Sequence, residues 1–385
     1  MIPPENREKR DNTSNNLSGN SLVPDDVVIE ILLRLPVKSL LRCKSVCKSW
    51  FGLIKSSNFI SKHHHHENNH TRILVHHHIH DDAGKQRYIF SLFTDEPQSR
   101  QDLNYLHMPG LLFRHVIGSY DGLVLLCAAG TEFDHPQMAL WNPATREFKP
   151  LPIPKSNLPP HLKASECSFG FGWDPLGNDY KVVLISDCSD KRNGYPIDSV
   201  FSVAVYTLGS ESWRHLDPFL LPGRVIHNSL CVTCVNGAYY WRTSDDSWTY
   251  TILLFDMGSE VVQEIPGPDN LKEEAGQLVL YNGSIAMLLY NCSGETVEFV
   301  DIWVMKQEGC WIKHLTIGPL QDIAWPRGIW RNELFMIAKN SHLSSIEARI
   351  MTFNSYIGLM KVDVFKRTFA LEAARMNSLN WGVFA

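Results

Sequence analysis

Five stretches of the chain share one form, and that recurrence restricts the fold more than any other feature. They are ALWNPATREFKPLP (139–152), VAVYTLGSESWRHL (203–216), LLFDMGSEVVQEIP (253–266), VDIWVMKQEGCWIKHL (300–315) and IMTFNSYIGLMKVDVF (350–365). Each alternates apolar and polar residues, reaches an aromatic, passes a polar turn and resumes as a second apolar run, the period-2 mark of a strand pair. The aromatic anchors are Trp141, Tyr206, Phe255, Trp303 and Phe353, spaced 65, 49, 48 and 50 residues apart. Upstream of three anchors, at 19, 18 and 20 residues, stands the glycine of Asp121-Gly122, Asn236-Gly237 or Asn282-Gly283. These dipeptides suit tight hairpins, whose turns need positive φ. Arg331-Asn332 is a weaker cognate, and Asn178-Asp179 serves the second unit, whose longer spacing reads as an insertion at 186–200.

Two hairpins per ~50 residues are the pattern of propeller blades, which bury one another's faces and remove exposed sheet edges by closing a ring. Five blades are legible, and a sixth is expected from strands in 72–93 together with the C-terminal region. The expected class is a multidomain α+β chain: a small helical segment followed by an all-β, propeller-like domain. An irregular β-sandwich is the alternative.

The helical segment lies at 21–61. Pro24, Asp25 and Asp26 are helix-start signals. Val27, Val28, Ile31, Leu32 and Leu35 then recur at helical spacing as one apolar face, and Pro36 ends that helix. Leu40 and Leu41 suit a second helix, while Cys43, Val46, Cys47, Trp50, Leu53 and Ile54 suit a third. Ile29 and Leu33 fall off the main stripe. Cys43 and Cys47, one turn apart, read as small core residues. Three short helices bury too little to stand alone, so their surplus of apolar residues implies a partner or a neighbouring domain.

The stretch VPDDVVIEILLRLPVKSLLRCKSVCKSWFGLI resembles an F-box through residues 22–60, with Val23 where that pattern carries leucine. The resemblance implies that the three helices bind a Skp-family adaptor and, through it, a cullin scaffold. It assigns Pro24, Ile31, Leu32, Leu35, Pro36, Leu40, Val46, Cys47 and Trp50 to the motif's core and adaptor-facing surface, without dividing the two roles. Downstream, WNPATREFKPLP, GFGWDPLGNDYKVV, VAVYTLGSESWR, VNGAYYW, LLFDMGSE and VDIWVMKQEGCWIK resemble the F-box-associated domain of plant F-box proteins over about 70–340. The likeness is nearest to the S-locus-type subset, which recognises pistil ribonucleases in self-incompatibility. The Gly-Gly pair of ordinary kelch repeats is absent, and the match fades after residue 340.

The first 20 residues are rich in Asn, Ser and charge and lack an apolar signal region, so a disordered tail is expected. KHHHHENNH (62–70) and HHHIH (76–80) hold nine of 17 histidines. Consecutive histidines in a polar stretch offer no fixed second shell, so 62–71 reads as a linker and no metal is expected. Cys231-Val-Thr-Cys234 has metal-like spacing but no matching second pair. FGFGWDPLG (169–177) opens no helix and holds no lysine, and reads as a strand with a turn at Asp174-Pro175. Asp174, Asp179, Asp256 and Asp301 recur near turns and form no acid–base constellation.

A net charge of −5 gives no argument for nucleic acid or anionic membrane, and no apolar run is long enough to span a bilayer. The basic residues at 34–55 fit an acidic partner or solvent. Reduced thiols in cytoplasm and/or nucleus are expected from nine scattered cysteines. The function that follows is that of a non-catalytic substrate-recognition subunit of a Skp–cullin–F-box ubiquitin ligase. It would hold a protein target on loops such as 130–138, 161–167, 186–200 and 243–250 and require no cofactor. The alternatives are an F-box interaction protein acting outside a ligase and a kelch-type propeller enzyme.

Overall fold

A computed structural model describes residues 24–35, 37–56, 58–59, 62–63, 72–80, 86–93, 100–103, 113–120, 122–128, 136–143, 145–155, 157–190, 196–227, 234–245, 247, 249–268, 275–293, 296–320, 323–330, 333–338, 343–345 and 358–362. The expected tail at 1–20, Pro36, most of the 62–71 tract, Cys231 and Phe353 lie outside them. The chain divides into two compact units, Met1–His66 and Glu67–Ala385.

The first unit contains α1 (Asp25–Leu33), α2 (Val37–Cys43) and α3 (Lys48–Lys55). Pro24 caps α1 with its carbonyl, which accepts from the amides of Val27 and Val28 at 3.0 and 3.1 Å. The apolar face of α1 is turned from its expected direction. Leu32 and Leu33 are buried with Leu40, Ile54 and Phe59, whereas Val27 and Ile31 are exposed. Leu33, expected off the stripe, is therefore core. The third helix also begins later than expected. Cys47 is not a core residue: it is exposed and extended, and its Sγ accepts from the Trp50 amide at 3.4 Å as an N-cap. Cys43 is half-buried at the end of α2, and Val46 sits exposed in the turn between helices. His63 belongs to this unit too. It is buried against Phe59, and its Nε2 lies 2.9 Å from the Leu35 carbonyl just past α1, a C-terminal carbonyl that the helix itself leaves unpaired.

The second unit is a β-propeller of six antiparallel sheets among the described residues, five of four strands and one of three. The sandwich alternative is thereby set aside. Blade 1 contains β1 (Arg72–His80), β2 (Gln86–Phe93) and β3 (Arg100–Leu103). Blade 2 runs β4 (Phe113–Tyr120), β5 (Leu123–Ala128), β6 (Met138–Asn142) and β7 (Glu147–Pro150). Blade 3 runs β8 (Leu162–Asp174), β9 (Asp179–Asp190), β10 (Pro196–Thr207) and β11 (Ser212–Leu220). Blade 4 runs β12 (Arg224–His227), β13 (Ala238–Asp245), β14 (Tyr250–Asp256) and β15 (Val262–Pro266). Blade 5 runs β16 (Ala275–Tyr281), β17 (Ser284–Ser293), β18 (Thr296–Gln307) and β19 (Cys310–Ile317). Blade 6 contains β20 (Ile323–Trp330), β21 (Glu333–Ala338) and β22 (Leu343–Ser345).

The last strand, β23 (Gly358–Val362), completes blade 1 by pairing with β1, from Arg72↔Val362 to His76↔Gly358. Strands of neighbouring blades then touch in an unbroken circle: β4 with β8, β8 with β13, β13 with β16, β16 with β20, β20 with β23, and β23 with β4. The expected sixth blade from 72–93 and the C-terminal region is present. One correction follows. The run at 350–365 was expected to form the second hairpin of a repeat unit, but its strand 358–362 pairs with β1. Alternating GLMKV satisfies either sheet, and pairing with β1 closes the ring.

Each described anchor occupies the third strand of its blade. Trp141 pairs with Phe148, Tyr206 with Trp213 and Phe255 with Val262, and all three anchors are buried. Burial of each such side chain contributes roughly 2–3 kcal/mol. Trp303 occupies the corresponding place opposite Lys313 and is half-buried. The longer spacing from Trp141 to Tyr206 comes mostly from extended strands: β9 and β10 each have 12 residues and occupy much of the expected insertion. Asn236 and Asn282 take φ of 52° and 48°, followed by Gly237 and Gly283 at 80° and 78°, the tight turns read from the sequence.

Candidate functional site

Two regions expose groups that the folded chain leaves available. The first is the helical unit. Of the residues assigned to the F-box motif, Leu32 (1% exposed) and Leu40 (4%) are core, while Ile31 (53%) and Val46 (63%) face out, joined by Val27 and Phe51. Leu35 and Trp50 are half-buried, Pro24 and Cys47 are exposed, and Pro36 lies outside the described residues. Burial thus separates the motif residues that fill the helical unit from those that face out of it. Val27 and Phe51 are additions. Val27 belongs to the apolar face of the first helix by spacing yet stands exposed, and Phe51 stands next to Trp50 with the Lys55 ammonium 4.3 Å above its ring.

The second region is the interface edge between blades at the end where first strands turn into second and third into fourth. That end is tied by side chains on successive blades. Asp174 accepts from the amides of Leu176 and Gly177, Asp179 from Tyr180 and Gly209, and Asp256 from Ser259. Three of the four noted aspartates therefore hold turns. Asp301 instead sits within β18, bonding Thr316 and Lys313 of β19.

The final hairpins of blades 2 to 5 place Arg146, Glu211, Glu260 and Gly309 at positive φ, between 51° and 71°. Glu211 reaches back to Lys149 of blade 2. Glu260 reaches back to two cations of blade 3, Arg214 and Lys181. Lys181 is almost wholly buried, 2.6 Å from both Asp174 and Glu260 and 2.7 Å from the Met257 carbonyl. Burial alone raises the Asp174 carboxyl, but Lys181 and the two turn amides outweigh it and hold the group below its ordinary value.

Among the described residues no such ionic tie joins blades 4 and 5. By strand register, Gln263 (opposite Leu254) stands where Lys149 and Arg214 stand in blades 2 and 3. Ala238 takes the place of Lys181, each opposite the residue that follows its blade's anchor, with Tyr240 two residues further along the strand, and Gly309 takes the place of the glutamates. A cleft of about 470 Å³ opens there. Its floor is Ala238, Tyr240, Leu254 and Ile285, and its rim includes Asp256, Lys306, Gln307 and Glu308. Tyr240 is 6% exposed, and burial, with Glu308, Cys234 and Asp256 adding to it, pushes its phenol up to about 12.

The remaining sequence candidates have structural places. Cys234 is buried against Gly172 of β8. The HHHIH tract forms part of β1, paired with β2. Among the described residues no three His, Cys, Asp or Glu side chains converge as a metal-binding group, and no helix is long and apolar enough to cross a membrane. Of the four segments expected as target-binding loops, 162–167 lies within β8, and 186–190 and 196–200 lie within β9 and β10, so these are strand rather than loop, while the other two border the ends of β5 and β13. Alternating strand direction puts all of these at one end of the propeller, opposite the cleft.

Family models place this architecture. Residues 61–336 match the F-box associated beta propeller domain, and residues 21–62 the F-box domain. An F-box/kelch-repeat protein of Arabidopsis thaliana is 29% identical over 331 residues, covering 82% of this chain and 85% of that protein. An Arabidopsis F-box protein is 29% identical over 316 residues, 78% of this chain and 73% of its own length. Among solved structures, YjhT aligns with 70% of this chain and 91% of its own at 9% identity and a TM-score of 0.38. A PL25 ulvan lyase covers 76% and 74% at 12% identity and 0.41. With the family model spanning most of its length, the chain belongs to the F-box proteins that carry an F-box-associated β-propeller domain.

Proposed function

We propose that this chain is the substrate-recognition subunit of a Skp–cullin–F-box ubiquitin ligase acting in cytoplasm and/or nucleus. In that role its helical unit holds a Skp-family adaptor and its propeller holds a protein target. The observation that carries the reading is the pair Ile31 and Val46, large apolar side chains left more than half exposed on a unit whose core is already filled by Leu32, Leu33, Leu40 and Ile54. Such residues gain only when another surface covers them. The receptor needs no catalytic group, because ubiquitin transfer is performed by other subunits and its own contribution is proximity. The target is held by loops at a propeller end.

Adaptor capture by the full chain tests the proposal. Ile31→Asp and Val46→Asp replace exposed side chains, so folding is retained while capture is expected to fall at least about tenfold, as for loss of a hot-spot contact. Failure of the unaltered chain to capture any Skp-family adaptor would sink the reading. Recovery of adaptor without cullin would favour an F-box protein acting outside a ligase.

A further inference from the structure

Among the described residues, the cleft between blades 4 and 5 lies where the ionic tie made at blades 2–3 and 3–4 is not made. At the blade 3–4 edge, the chain supplies its own ammonium: Lys181 fills the space and bonds Asp174, Glu260 and the Met257 carbonyl. At the blade 4–5 edge, Ala238 stands in the place of Lys181 and is too short to fill the corresponding space, Gly309 supplies no side chain, and Gln263 supplies no charge. The acceptors have shifted but persist. Asp256 and Glu308 stand on the rim, and both act on the Tyr240 hydroxyl. Tyr240 is more than nine-tenths buried and lines the cleft, and its hydroxyl has no hydrogen-bond partner among the described residues. Asp256 commits Oδ1 to Ser259, leaving Oδ2. The floor of Leu254, Ile285 and Met305 is apolar.

We propose that this cleft receives a lysine side chain from a protein partner, which completes at blades 4 and 5 the ammonium-centred tie that Lys181 makes within the chain at blades 3 and 4. An ammonium suits Glu308, Asp256 and the phenol oxygen. Its four-carbon stem suits the floor beneath, since lysine buries its methylenes while its charge stays with polar groups. Lys306 on the opposite rim opposes a cation, so it tunes the site rather than forming it. This inference rests on the reading that the propeller binds a protein target, and it makes the turn end of the ring a contact surface in addition to the loop end.

The test uses the full chain labelled at its methionine methyls, with Met305 as the reporter inside the cleft. The probes are the capped pentapeptide Gly-Gly-Lys-Gly-Gly and the same peptide with norleucine, which keeps the stem and removes the charge. Saturable shifts of Met305 with the lysine peptide alone are expected. Glu308→Gln and Tyr240→Phe should each weaken that binding about tenfold, the size of one lost hydrogen bond to a charged group, and Lys306→Gln should strengthen it. Equal response to norleucine, no response to lysine, or indifference to both substitutions would overturn the proposal. Adaptor capture by the unaltered chain is measured alongside. If it is intact while the unaltered chain does not respond to the lysine peptide, only the cleft inference fails, whereas loss of adaptor capture by the unaltered chain strikes the receptor reading itself.

Discussion

Replacing Lys181 by methionine isolates the tie that fastens blade 3 to blade 4. Methionine matches the length and much of the volume of lysine, so packing against the surrounding strands is nearly preserved and the change is one of charge. The ammonium lies 2.6 Å from Asp174 and 2.6 Å from Glu260 at a site almost closed to water. Removing one partner from a buried ionic cluster costs about 3–5 kcal/mol, because the charges left behind are neither solvated nor paired. Two features place this site at the lower limit. Asp174 keeps the amides of Leu176 and Gly177, and Glu260 keeps Arg214. A loss of about 3 kcal/mol is therefore expected, which at a urea slope of ~3 kcal/mol/M moves the unfolding midpoint down by about 1 M. The pH dependence gives a second reading. In the native chain the Asp174 carboxyl is held low, so its contribution is present above the unfolded value near 3.8 and fades as pH falls through the lower folded value. Without Lys181, burial acts with less opposition, the carboxyl rises, and the variant recovers part of its deficit as the pH approaches 4. Equilibrium unfolding in urea at pH 7 and pH 4.5 checks both. A midpoint within about 0.2 M of the unaltered chain at pH 7, equivalent to under ~0.6 kcal/mol, would refute the idea that this lysine compensates two buried carboxylates.

Two further outcomes can be checked on the same footing. His227 bonds Ser244 Oγ at 2.7 Å, and burial, with Arg242 adding to it, lowers its pKa to about 4. The unfolded chain then binds more protons, so the stability held at neutral pH is lost as pH falls from about 6.5 toward 4. His227→Asn should flatten that part of the urea-midpoint profile, and an unchanged profile would count against it. Gly172→Ala would bring a methyl to 2.3 Å from Cys234 Cβ, and overpacking of this kind costs about 1–3 kcal/mol. If Cys234→Ala added to Gly172→Ala gives back no stability, the clash is not the cause.

The propeller was legible because its blades are local objects. Asn236-Gly237 and Asn282-Gly283 set their hairpins by backbone preference alone, and the anchors Trp141, Tyr206 and Phe255 repeat because every blade buries the same third strand. Ring closure was legible only as an expectation, since GLMKV at 358–362 pairs equally well by pattern with a neighbour in sequence or with β1 far upstream. The helical unit was harder to divide. Val27, Ile31 and Leu32 all satisfy helical spacing, and which of them faces inward depends on where α2 and α3 lie, a tertiary fact absent from α1 itself. Cys47 shows the same limit: spacing made it core, whereas the turn before α3 needed an acceptor for the Trp50 amide. The cleft could have been noticed from the sequence by aligning the repeat units, because Glu211 and Glu260 recur at one position and Gly309 breaks the series.

Completion of blade 1 by β23 sets an order of events during synthesis. Arg72 meets its partner Val362 only after synthesis has reached residue 362. At translation rates of 5–20 residues per second, β1 waits roughly 15–60 s for that partner. Throughout that interval the strand presents an unsatisfied row of amides and carbonyls, the kind of edge that recruits foreign strands. The helices at 25–55 are complete long before. Premature termination before residue 358 would yield a product with its helices intact and its ring unsealed. On the receptor role proposed above, such a product would still occupy the adaptor, without a closed domain with which to hold a target.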